Sequence, residues 1–179
     1  AKQVDCTAYV SGVIRAYGRM HNIDAFDGLD RNPESFSELA RSIAKGYKGE
    51  LNDKFEVVWI RSGMSMNHPN DNYPTVAWLQ ENLLAGDIFI YFAGHRNSDR
   101  SVTYRSCCTG APVGGTGAHH GEIFTGEWDG NKCSIFSCGD APSEHSEYKD
   151  GEPTWKDMSG NGYKYNTRRT LYAILRLKP

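Results

Sequence analysis

Residues 85–92 read Ala85-Gly86-Asp87-Ile88-Phe89-Ile90-Tyr91-Phe92, a run that alternates aromatic and β-branched side chains behind a Gly-Asp turn. Such density predicts a buried strand from Asp87 to Phe92. On its N-terminal side the patterning is mainly helical. Val10, Val13, Ile14 and Tyr17 follow Cys6 at helical spacing, predicting a helix from Cys6 to about Met20 with Asp5 as its N-cap. Phe36, Leu39, Ile43 and Tyr47 predict a second helix from Pro33 or Glu34 to Lys45, stopped by Gly46. Phe55 to Ile60 reads as a strand, Gly63 to Tyr73 as loop, and Thr75 to Leu84 as a short helix ending at Gly86.

On its C-terminal side the patterning is of strands. Glu122–Thr125 and Ser134–Ser137 predict a hairpin about the turn Asp129-Gly130-Asn131, and Leu171–Leu177 a closing strand. Ala93–Ala118 reads as a long insertion loop, and Asp140–Asn166 as a polar segment over the surface. Helices followed by antiparallel strands indicate the α+β class, with the N-terminal helices packed on a central antiparallel sheet. At 179 residues, 39% hydrophobic, the chain is expected to be a single domain spanning 1–179.

A formal net charge of -2 supplies no basic field, which argues against a nucleic-acid partner. No apolar run reaches the roughly 20 residues of a membrane span, and Ala1–Asp5 lack the apolar centre of a signal peptide. With a cysteine of interest only five residues in, a processed or excised catalytic domain is expected. The five cysteines are Cys6, Cys107, Cys108, Cys133 and Cys138, an odd number, so one stays unpaired in a monomer. Pairing of Cys133 or Cys138 with Cys107 or Cys108 is open from spacing alone.

Cys6 stands in a predicted first helical turn, where unsatisfied N–H groups and the macrodipole favour a thiolate and can receive an oxyanion. A buried cysteine on an apolar stripe is the plainer interpretation. A nucleophilic cysteine needs an imidazole, and His119 and His120 follow a glycine-rich approach at the start of a predicted strand. The cysteines and this histidine pair also raise structural zinc. Against that, no Cys-x-x-Cys or His-x-x-x-His occurs and adjacent cysteines rarely share one tetrahedral ion, so no metal is expected. Trp59, Trp78, Trp128 and Trp155 are scattered, as packing residues are, rather than gathered as in a glycan-binding surface.

Asp5-Cys6-Thr7-Ala8-Tyr9-Val10 resembles the Asp-Cys-Ser-Gly-Phe-Val signature of NlpC/P60 cysteine peptidases, relatives of the CHAP amidases. Residues 85–92 are similar to that family's Pro-Gly-Asp-Leu-Val-Phe-Phe strand, and His120-Gly121-Glu122-Ile123-Phe124-Thr125-Gly126 resembles its His-x-x-Ile-Tyr-x-Gly strand. The departures are Thr7 and Ala8 in place of Ser-Gly, and the long insertion before the histidines. The resemblance implies a papain-like fold with Cys6 as nucleophile and His120 as base. His120 is preferred to His119 because it keeps Ile123, Phe124 and Gly126 in the family's spacing, although a one-residue slip would reverse its face. It further implies an orienting group from the next strand, Ser137 first and Asp140 after it.

The activity implied is hydrolysis of a peptidoglycan amide bond without a cofactor. The bond would join muramic acid to L-alanine, or lie within the stem or cross-bridge. Peptidoglycan is then the partner, with further lysin domains or an immunity protein as additional ones. The chain would be secreted, carried on a phage virion, or delivered to the wall. Two alternatives use other chemistry: an amine-accepting acyltransferase resembling transglutaminases on the same dyad, and a non-catalytic wall-binding module.

Overall fold

The computed structural model describes residues 6–29, 33–61, 73–93, 95–96, 102–103, 118–136, 153–159 and 169–178, with side chains described at all of these except 6–8, 33–35, 92–96, 102–103, 118–119 and 169–170. Among the described residues there are three α-helices: α1 (Cys6–His21), α2 (Pro33–Ala44) and α3 (Val76–Asn82). The strands are β1 (Phe55–Ile60), β2 (Ile88–Ala93), β3 (His95–Arg96), β4 (Val102–Thr103), β5 (Ala118–Asp129), β6 (Lys132–Phe136), β7 (Thr154–Asp157) and β8 (Arg169–Leu177). Six of them form one antiparallel sheet in the order β1-β8-β2-β5-β6-β7, and the fold is α+β. None of the described helices is long and apolar enough to cross a membrane.

Both faces of the sheet are covered, which is why β2 reads as a continuous apolar run. Ile88 and Ile90 turn to one face, joining Val10 and Ile14 of α1 and Phe36, Leu39 and Ala40 of α2. Phe89 and Tyr91 turn to the other, joining Leu79 and Leu83 at α3, Cys133 and Ile135 of β6, and Met158.

Local chemistry explains most element boundaries. Asn22, with φ 55°, ends α1, a left-handed position that asparagine tolerates. At the end of α2, Gly46 has φ +77°; its N–H bonds Ile43 O at 2.8 Å and that of Tyr47 bonds Ser42 O at 3.0 Å, the paired closure of a Schellman motif. Thr75 caps α3, its Oγ1 accepting from Trp78 N at 3.2 Å. At the α3–β2 junction the fully buried Asp87 accepts from Arg176 Nε at 2.8 Å, Arg176 Nη2 at 2.7 Å and Leu84 N at 2.9 Å.

Several elements differ from expectation. β5 begins at Ala118, before both histidines, and runs to Asp129, where Gly130 and Asn131 close a two-residue hairpin loop. Segment 140–166 contributes a sheet strand, β7, and segment 93–118 contains the paired β3 and β4. These strands are two to four residues long, too short for periodicity to reveal. Cys133 is a free, buried thiol and is not half of a disulfide.

Candidate active site

α1 begins at Cys6, so the expected nucleophile occupies the helix's first turn; its side chain lies outside the described ones. The helix is laid directly on β5. A Cβ built on Gly121 would come within 3.2 Å of Val10 Cγ2, so the helix backbone lies close against the strand at this glycine. One helical turn on, Ile14 lines the same groove as Ile123. Val10 thus matches residue 121 and Ile14 matches residue 123, and the two elements run in the same direction. Four helical residues advance about 6 Å and two strand residues about 6.6 Å. Cys6 lies one helical turn before Val10, and residue 119 two strand residues before Gly121.

Residue 119 occupies an irregular position. β2 and β5 pair Tyr91 with His120 and Phe92 with Ala118, leaving His119 as the extra residue of a β-bulge. Its side chain, too, lies outside the described ones.

His120 faces away from α1. Gly121 and Ile123 turn to the α1 face, while His120 lies beside Tyr91 on the opposite one, with ring centroids 5.7 Å apart. Its side chain is fully buried, with Nε2 2.7 Å from Glu122 Oε1. Because a carboxylate only accepts, this bond places a proton on Nε2. Lys156 Nζ, from β7, donates to both Glu122 oxygens at 2.9 Å and lies 4.0 Å above the Tyr91 ring. The expected pairing of Cys6 with His120 is therefore not what the strand geometry brings together, because from His120 to Ile123 alternate residues look to opposite faces and His120 looks away from α1.

Cys133 lies beside this cluster, directly across from Lys156. Burial, reinforced by the charge of Glu122 and opposed by Lys156, pushes its thiol up to about 12, so it is a neutral core group.

Of the other expected residues, Ser137 and Asp140 lie outside the described residues, just past the end of β6. Cys107, Cys108 and Cys138 of the zinc alternative also lie outside them, and no group of three potential metal ligands occurs among the described residues. A groove of about 390 Å³ lies between the later half of α1 and the sheet, lined by Val13, Ile14, Tyr17, Gly86, Ile88 and Ile123. It is beyond Val10 along the helix from Cys6 and contains none of the candidate residues.

Glu122, Lys156 and the Asp87–Arg176 pair are missing from the expected site. A charged residue two positions after His120 in an otherwise apolar strand was a readable signal for Glu122. Lys156 had none, since β7 itself is invisible to periodicity. Compared with models of protein families, with curated proteins and with solved structures, the chain matches none.

Proposed function

We propose that this chain is a cysteine-nucleophile amide hydrolase of papain-like arrangement acting on peptidoglycan peptides, with Cys6 as nucleophile and His119, in place of His120, as base. The observation that supports this is the close contact of Gly121 with Val10, which lies one helical turn after Cys6, while Gly121 lies two strand residues after residue 119. The Asp-Cys and histidine-strand motifs supply the chemistry and the substrate class. His120 is the weaker choice because its ring is committed to Glu122 on the far face.

In the proposed reaction the Cys6 thiolate attacks the carbonyl carbon of a stem amide. The N-terminal N–H groups of α1 receive the oxyanion. Imidazolium gives its proton to the leaving amine, and the imidazole then takes one from the water that releases the acyl group. Ser137, and after it Asp140, are proposed to orient the imidazole, since β6, which they follow, adjoins β5.

The test is mass spectrometry of the soluble products from purified sacculi treated with the protein or with Cys6→Ala. Muropeptide or peptide fragments bearing a new amine and a new carboxyl are expected from the first and not from the second. Equal release by folded Cys6→Ala, or none by the unaltered protein, would sink the proposal.

A further inference from the structure

The His120–Glu122–Lys156 cluster lies on the sheet face that α1 does not touch. The chemistry proposed at Cys6 therefore does not use it directly, yet it is a costly feature. Glu122 is 1% exposed and His120 0%, and burying charge is unfavourable unless every group is well paired.

The register of β5 is a feature that such a buried cluster can fix. From residue 121 onward patterning fixes the faces of β5, with Ile123 toward α1 and Phe124 away from it, but His119 and His120 are chemically equivalent and lie at the bulge, where patterning does not determine which of them turns to α1. A one-residue slip exchanges them, because strand side chains alternate faces. The bulge makes the choice weaker still, since the extra residue 119 lacks a paired partner on β2. Gly121, on its far side, has no side chain to hold. His120 does: its ring packs against Tyr91 of β2 and bonds Glu122, which Lys156 of β7 grips from two strands away.

We propose that the buried His120–Glu122–Lys156 cluster is a positioning device that locks the register of β5, turning His120 away from α1 and setting the position of residue 119. This rests on the Cys6–His119 assignment above. A single buried polar contact that selects one register among near-equivalent ones is the best-attested use of such groups.

The experiment is the rate of Cys6 alkylation by iodoacetamide as a function of pH, read by mass mapping, in the unaltered protein, Glu122→Gln, Lys156→Gln and Lys156→Arg. Circular dichroism checks folding, and sacculus digestion supplies kcat and KM. If the cluster positions the base, both Gln variants lose alkylation at about pH 6, and kcat falls roughly 10- to 100-fold with KM held within about twofold. Lys156→Arg, which keeps the charge and a donor, restores both.

Folded Gln variants with an unaltered alkylation profile and kcat would overturn the proposal, as would a loss that Lys156→Arg fails to restore. Should Glu122→Gln not fold, Lys156→Gln decides, because that side chain is 22% exposed and its loss is tolerated more easily. Should Cys6→Ala and His119→Ala abolish hydrolysis while the cluster variants do nothing, only the positioning inference falls. Should those two variants keep activity, the dyad falls and the inference with it.

Discussion

Gly121→Val tests the contact that brings the two halves of the proposed site together. A Cβ at this position would lie 3.2 Å from Val10 Cγ2 and 3.7 Å from Val10 Cβ, against an optimum of about 3.5–4.0 Å. Alanine requires a shift of a few tenths of an ångström, and replacing a strand glycine returns about 0.5–1 kcal/mol, so Gly121→Ala should be nearly neutral. Valine drives two further methyl groups into α1. Overpacking of this kind costs about 1–3 kcal/mol, a fall in Tm of about 3–10 °C for a domain of this size. Because Val10 is one turn from Cys6, the same displacement should slow Cys6 alkylation at about pH 6. Val10→Ala makes room, so the double variant should be more stable than the sum of the two single changes by at least about 1 kcal/mol. Urea unfolding followed by circular dichroism supplies the four free energies. An unchanged Gly121→Val midpoint, or simple additivity in the double variant, would refute the close approach of α1 to β5.

Asp87→Ala removes the acceptor for two Arg176 N–H groups and for Leu84 N, and Arg176, whose guanidinium Asp87 holds above its ordinary pKa, is left without it. The Arg176 side chain is 22% exposed and can turn to water, so the loss should fall toward the low end of the range for broken buried pairs, about 2–3 kcal/mol; a melt showing less than about 1 kcal/mol would contradict this. Burial pushes the Cys133 thiol up to about 12 from an ordinary value of about 8.5, so its stabilising contribution is complete below about pH 8.5 and is lost as pH rises toward 12. It should stay unlabelled by iodoacetamide in the native protein at neutral pH and react once unfolded, while Cys133→Ser should flatten the alkaline loss of stability; labelling in the native state would show that its burial is wrong.

The long periodic elements were legible. Val10 and Ile14 lie four apart on one face of α1, Phe36, Leu39 and Ala40 mark the buried face of α2, and β2 declares itself because both its faces are covered. The hairpin turn at Gly130 and Asn131 follows from residue types that accept its backbone. β7 was not legible, because Thr154–Asp157 alternates half-buried and exposed residues over only four positions. At the site, Cys6 at the head of α1 could be read from spacing alone. The face of the histidine could not, since family spacing favoured His120 whereas Gly121 and Val10 determine which side of β5 meets the helix. A bulge between residues 118 and 120 is a property of strand pairing and leaves no mark in a single sequence.

The most direct measurement of the central claim is brief iodoacetamide treatment at about pH 6, with mass mapping of all five cysteines and residual hydrolysis followed together. An ordinary thiol, with a pKa of about 8.5, is protonated there, whereas a thiolate paired with an imidazolium at a helix N-terminus persists. Cys6 should be labelled first, activity should decline in step with it, and His119→Ala should slow the labelling by at least about tenfold. Equal reactivity of Cys107, Cys108, Cys133 or Cys138, labelling of Cys6 without loss of activity, or labelling that is indifferent to His119→Ala would contradict the proposed dyad.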